Sequence, residues 1–322
     1  MKVFIIVGLL LVFTGAAIYT FSGTEKKISA TNNTELKGDS SKQKSVVKPR
    51  KRRVFTGSLR SNELEKLLSP NENVRRQAFV LLHNNLTSGS GGEYLKYGKE
   101  LHAYLAYVLS DPNDEFAHFS AASIYQLAVA TFIHKNQRIE ILKNYPYIDT
   151  SNELKLSLID AIQNSENKNV KDLSAKALVL AYEPTVNIEN LLIEQFQNNS
   201  VAKPSMLIAL SHLAEKSHKP AGFYSESTNS IIVDAIKDSD TEISRAAVEV
   251  VKIVKLREAL PVLIEKLEKV NKPYDYRSIL TAIKLQKENS KMYIRDIEEI
   301  MNNSDDERFK SALSKTIKII KK

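Results

Sequence analysis

The 322-residue chain carries 46 Lys and Arg against 38 Asp and Glu, with no cysteine and no tryptophan. The lack of cysteine excludes disulfides, thiolate nucleophiles, thiolate metal sites and a cysteine-linked lipid anchor. The net charge of +8 is unevenly placed: residues 1–60 sum to +9 and the remainder to −1, so the basic character belongs to the N-terminal stretch. Glycine sharpens the picture, because only Gly222 lies after Gly98. Phosphate-cradling loops and doubly wound sheets need glycine at their turns, whereas helices joined by short polar turns do not.

Met1-Lys2 precedes an uncharged, mostly apolar run from Val3 to Phe21. As a helix at ~1.5 Å per residue it reaches ~28 Å, close to the ~30 Å hydrocarbon thickness of a bilayer. Thr14-Gly15-Ala16-Ala17 offers small residues at the spacing of a signal-peptide cleavage site. The apolar run continues through Ile18, Tyr19 and Phe21, which favours an uncleaved anchor. Residues 1–21 are therefore expected to form an N-terminal hydrophobic helix. It would be a single-pass membrane anchor with the body on the extracytoplasmic side, or, if cleaved, the signal of a secreted or periplasmic protein.

Residues 22–57 are rich in Ser, Thr, Lys and Asn, with almost no periodic apolar positions. Such a composition cannot bury enough surface to order itself, so a disordered basic tether is expected. Within it lies Lys48-Pro49-Arg50-Lys51-Arg52-Arg53. The reading adopted for Lys48, Arg50, Lys51, Arg52 and Arg53 is a solvated charge run that contacts anionic surfaces. A nuclear-localisation patch and a basic-pair processing site are the alternatives.

From residue 58 to residue 322 the apolar spacing is helical throughout, and seven units are expected, each an outer helix, a polar turn and an inner helix. The inner helices open at Val74, Phe116, Val170, Ile243, Tyr276 and Phe309, and a less regular fourth unit carries Met206, Ala209 and Leu213. Thr131 to Ile148 reads as an extra segment between the second and third units. Three turns, Ser69-Pro70-Asn71-Glu72, Ser239-Asp240-Thr241-Glu242 and Ser304-Asp305-Asp306-Glu307, have the Ser-x-x-Glu form of a capping box. The fold class expected is all-α, a right-handed α-solenoid of about seven hairpins.

The turn and inner helix of the first unit read Leu68-Ser69-Pro70-Asn71-Glu72-Asn73-Val74-Arg75-Arg76-Gln77-Ala78. Those of the fifth read Ile236-Lys237-Asp238-Ser239-Asp240-Thr241-Glu242-Ile243-Ser244-Arg245-Ala246-Ala247. These segments resemble the HEAT-repeat family, whose pattern has an acidic turn, Val-Arg and then paired alanines; Val74-Arg75 matches in unit one and Ala246-Ala247 in unit five. The resemblance is strong in units one and five and loose elsewhere. It implies a HEAT-like α-solenoid used for macromolecular interaction, and no particular activity.

No catalytic constellation is legible. Gly92 to Lys99 has one residue too many for a phosphate loop, and Glu100 stands where a Ser or Thr is needed. His83, His102, His118, His134, His212 and His218 form no metal-binding pair at helical spacing. No cofactor or metal is expected. The feature that stands out is a tyrosine stripe, Tyr94, Tyr97, Tyr104 and Tyr107, interrupted by Leu101. These rings are candidate partner-binding residues, because tyrosine is enriched at interface hot spots; packing between outer helices is the role favoured over it. The function expected is a membrane-tethered or exported protein-interaction scaffold whose partner is another protein. An enzyme on a HEAT-like frame, of lyase or glycosylase type, and a nucleic-acid binder using the basic tether are the alternatives. The near-neutral body argues against nucleic acid.

Overall fold

The computed structural model describes residues 65–87, 98–111, 114–137, 151–198, 201–217, 220, 222–269 and 273–322. The hydrophobic run, the tether with its basic cluster, and Tyr94 and Tyr97 lie outside the described residues. Among the described residues there is no strand, and no helix is long and apolar enough to cross a membrane.

The chain alternates first and second helices. Unit one has a 3-10 turn at Lys66–Leu68 followed by α1 (Glu72–Thr87). Unit two is α2 (Gly98–Val108) with α3 (Asp114–Gln137), and unit three is α4 (Asn152–Asn164) with α5 (Lys168–Ala181). Unit four is α6 (Val186–Gln197) with α7 (Lys203–Lys216), and unit five is α8 (Glu226–Ile236) with α9 (Thr241–Val254). Unit six is α10 (Leu260–Glu268) with α11 (Pro273–Leu285); after the short α12 (Lys287–Ser290), unit seven is α13 (Ile294–Asn303) with α14 (Glu307–Ile320). The second helices form one continuous row, α1 on α3, then α5, α7, α9, α11 and α14. Packing each unit against its neighbours in this way makes a solenoid.

The sequence explains the row. Ala246 and Ala247 of α9 are buried beside Val250 and Val251. Ala175 and Ala177 of α5, and Ala209 of α7, occupy equally buried positions. Small residues let neighbouring helices approach closely, while Val, Leu and Ile fill the layer beneath. The extra segment begins as a continuation of α3, which runs 24 residues to Gln137. The doubtful fourth unit does contain a hairpin. Its second helix starts after Ala202, which has no side chain to cap it, with Pro204 in the first turn.

The capping boxes are corrected by the structure. In unit five the N-cap is Asp240, whose carboxylate accepts from the Glu242 N–H at 2.8 Å. In unit seven it is Asp306, accepting from Arg308 and Phe309 N–H. The Ser thus stands before the cap and the Glu falls short of the third helical position, so no reciprocal box forms. Instead a residue two places before the cap takes the cap's own amide: Ser69 for Asn71, Ser165 for Asn167, Asp238 for Asp240 and Ser304 for Asp306. Short polar side chains that hydrogen-bond two residues on make such turns. Ser and Thr do cap helices here, but at first helices, namely Ser151, Thr185 and Ser225.

A second device closes the same turn. The side chain four residues after the cap reaches back to the last carbonyls before the turn. Arg75 donates to the Ser69 carbonyl at 2.6 Å. Ser244 donates to the Ile236 carbonyl at 2.6 Å. Buried Lys171 donates to the Ile162 and Gln163 carbonyls at 2.8 and 3.2 Å and to Gln195 Oε1 at 3.3 Å. Helix C-termini leave carbonyls without intrahelical partners, and these three side chains satisfy them.

Candidate interaction surface

Each second helix inside the row, from α3 to α11, is flanked by its two neighbours and by a first helix, so a single narrow face remains for solvent. In α5 that face carries Asp172, Leu173 and Lys176; in α7, Ile208 and His212; in α9, Arg245, Glu249 and Lys252. All are half-buried, because the adjacent helices close in on both sides. In α11 the corresponding residues are Ser278, Thr281 and Lys284.

The polar groups on this face are ordered by each other. Lys176 pairs with Asp172 at 2.8 Å, and both side chains are largely shielded. Lys252 pairs with Glu249, whose other oxygen accepts from the Ser278 hydroxyl at 2.7 Å, joining α9 to α11. Burial pushes the Tyr125 phenol of α3 up to about 12, and the charge of Asp172 adds to the shift. On α5 and α9, therefore, carboxylates and cations stand paired at short range. Such a face offers no sustained positive field to a polyanion. α14 departs from this balance, with Arg308, Lys310, Lys315 and Lys318 against Glu307. Between the paired charges sit Leu173, Ile208 and Ile253, partly exposed and packed on the core.

The tyrosine stripe is placed only in part. Tyr104 is 2% exposed. Its ring stacks on Phe79 at 6.0 Å and its hydroxyl donates to the Leu67 carbonyl. Burial pushes its phenol well above the usual tyrosine range. Tyr107 lies 6.3 Å from it, half-buried, at the edge of the same cluster. Tyr104 thus packs inside the first two units and ties α2 to the turn before α1, and Tyr107 is the described ring with a solvent-facing edge. The basic cluster Lys48 to Arg53, like Tyr94 and Tyr97, falls outside the described residues.

A shallow cleft of about 590 Å³ opens at the turn edge between α11 and α14. Tyr276 and Phe309, with ring centroids 4.7 Å apart, form its floor, and Glu299, Asp305 and Asp306 stand at its rim. Asp306 is engaged in capping α14. Among the described residues no group of three His, Asp or Glu side chains is placed to hold a metal.

The surface positions that sequence reasoning did not single out are those on the second-helix face. The signal that could have found them is their phase: two and six residues after the apolar opening of units three and five stand Asp172 and Lys176, and Arg245 and Glu249.

No family model matches the chain, and neither does any curated protein. Similar folds do occur among solved structures. An engineered protein superposes with a TM-score of 0.53 at 12% identity, covering 80% of this chain and 67% of its own. A designed armadillo repeat protein in complex with the peptide (KR)4 gives 0.49 at 16% identity, covering 70% of this chain and 98% of its own. Computationally designed armadillo repeat proteins for modular peptide recognition give 0.45 at 17% identity, covering 69% and 98%. The first of these likenesses supports the fold and nothing further. The chain is an α-solenoid of helical repeats.

Proposed function

We propose that the protein is a protein-interaction scaffold of HEAT-like type that engages its partner through the exposed face of the second-helix row. The observation that carries this reading is the construction of that face. Seven second helices stack without interruption, and their solvent-facing side chains are held in place by pairs such as Asp172–Lys176 and Glu249–Lys252. Pre-ordered polar groups with apolar residues between them suit a protein partner, because little side-chain entropy remains to be lost on binding. The locally balanced charge supports a polypeptide over nucleic acid. Tyr107, on the first helix α2, and Tyr94 and Tyr97 earlier in the same stripe are a separate candidate contact. In this reading Val3–Phe21 anchors the chain in a membrane, the tether carries the solenoid away from it on the extracytoplasmic side, and Lys48 to Arg53 lie against anionic surfaces.

The test is a paired purification from solubilised membranes, with the leader intact, of the native chain and of the double variant Arg245→Glu, Lys252→Glu. The reading expects a partner that co-purifies with the native chain and is lost from the variant, while both melt at similar temperatures. Retention of the same partner by the variant would remove the second-helix face from the account. Recovery of a soluble chain starting near Ala17 would remove the anchor and leave the scaffold.

A further inference from the structure

In each second helix the opening residue and those four and seven places on form one stripe at helical spacing. From α3 to α14 this stripe is buried throughout, as with Phe116, Ser120 and Ser123 in α3 or Ile243, Ala247 and Val250 in α9. The residue seven places on is at most 1% exposed in all of those helices. α1 departs from the rule. Its stripe is Val74, Ala78 and Leu81; the first two are half-buried and Leu81 is 53% exposed. Beside it Leu68 and Val80 are also largely open to solvent.

The difference lies in what stands before α1. Units two to seven each set a first helix of nine or more residues against the second. In unit one the described residues hold only the three-residue 3-10 turn in that place. α1 also opens the row, so no earlier second helix flanks it. It thus lacks two covers that every later second helix has, while keeping the apolar residues that such covers bury.

We infer that residues 54–64, which lie outside the described residues, dock along the Val74–Ala78–Leu81 stripe, antiparallel to α1, and clip the tether to the first unit. The stretch carries the side chains that the stripe calls for. Val54, Phe55, Leu59 and Leu64 stand within eleven residues, whereas residues 22–53 hold only Ile28, Leu36, Val46 and Val47 as large apolar side chains. It also arrives in the right place, because Leu67 is buried and Arg75 holds the Ser69 carbonyl at the start of α1. Eleven residues reach ~16 Å as a helix and ~36 Å extended, and the stripe is only ~10 Å long. A segment joined to its site by so short a link meets it at an effective concentration of order millimolar, which a second copy of the chain does not match in dilute solution. With this stretch docked, the basic run Lys48 to Arg53 adjoins the first unit, and residues 22–53 are the span left between the hydrophobic run and the solenoid.

The absence of cysteine lets introduced pairs report the contact without competition. In the full chain at low concentration, the variant Leu59→Cys, Leu81→Cys should close an intramolecular disulfide at least about ten-fold faster than Ser45→Cys, Leu81→Cys, because only a docked segment keeps its Cβ within bonding distance. Hydrogen exchange of the native full chain should show amides of residues 58–64 at least about ten-fold slower than those of residues 30–45, after correction for intrinsic rates. Leu81→Asp should return them to the tether's rate while α9 and α14 stay protected. Should that variant fold poorly, exchange of the native chain still decides. Equal closure rates for the two cysteine pairs, or exchange of residues 58–64 as fast as the tether, would overturn the inference. So would a crosslinked dimer from Leu81→Cys alone, which would assign the stripe to a second copy.

Discussion

Units one and two are built differently from unit five, although both place a second helix in the same row. The seam between α1 and α3 is aromatic: Phe79, Phe116 and Phe119 fill it, Tyr104 backs it, and Arg76–Glu115 bridges it. The layer around α9 has no aromatic residue and no histidine on the helix itself; Ala246, Ala247, Val250 and Val251 do the packing. The comparison teaches that the repeat specifies an approach of helices and leaves the filling free. Bulky rings hold helices apart and must be complete, whereas alanines bring them together and tolerate nothing larger. The clamps behind the turns differ in the same way, Arg75 in unit one against Ser244 in unit five.

Opposite substitutions should therefore injure the two regions. The largest effect is expected at Phe79, which is fully buried. Phe79→Ala leaves a ring-sized void and should cost ~3–5 kcal/mol, read from the denaturant midpoint together with exchange of α1 and α3. A loss below ~1 kcal/mol would mean that the aromatic seam does not hold unit one in place. Next comes Ala247, also fully buried. Ala247→Leu should cost ~1–3 kcal/mol by overpacking, with Ala247→Ser milder. An unchanged melting temperature for the Leu variant would undo the close-packed reading of unit five.

The caps give a smaller and sharper test. Asp240→Ala and Asp306→Ala should each cost ~1 kcal/mol, and Ser239→Ala much less, because the Asp side chains hold the amides at the helix starts. A larger loss at Ser239 than at Asp240 would restore the Ser-x-x-Glu box. The smallest effect concerns Lys255, which ends α9 in the left-handed region at φ 54°. Lys255→Gly relieves that conformation but frees the unfolded chain, so a change within about 0.5 kcal/mol is expected.

The helical phase, the seven units and the small-residue packing of α9 were legible in the sequence, because apolar spacing reports directly which side of a helix is covered. The caps were misread for a specific reason. The Ser-x-x-Glu pattern overlaps Asp238-Ser239-Asp240 in one turn and Ser304-Asp305-Asp306 in the other, and only backbone geometry decides which side chain faces the free amides. Asn167 was overlooked because its turn lacks the acidic pattern, although it caps α5 in the same way. The interaction face was hidden for another reason. Leu173, Ile208 and Ile253 fall at spacings that also suit a core, and how much of each stays exposed depends on the helices on either side. The tyrosine stripe shows the converse, since Tyr104 fits a surface pattern but is drawn inward by Phe79 and the Leu67 carbonyl.

The scaffold reading is tested most directly by site-specific photocrosslinking in the cell of origin. A crosslinking side chain is placed in turn at His212, Glu249 and Thr281 on the second-helix face, and at Glu194, Asp234 and Glu265 on exposed positions of the first helices. The account predicts that the first set captures one protein of constant mass and that the second set captures none of it. Capture of that protein from the first helices alone, or equally from both sets, would contradict it.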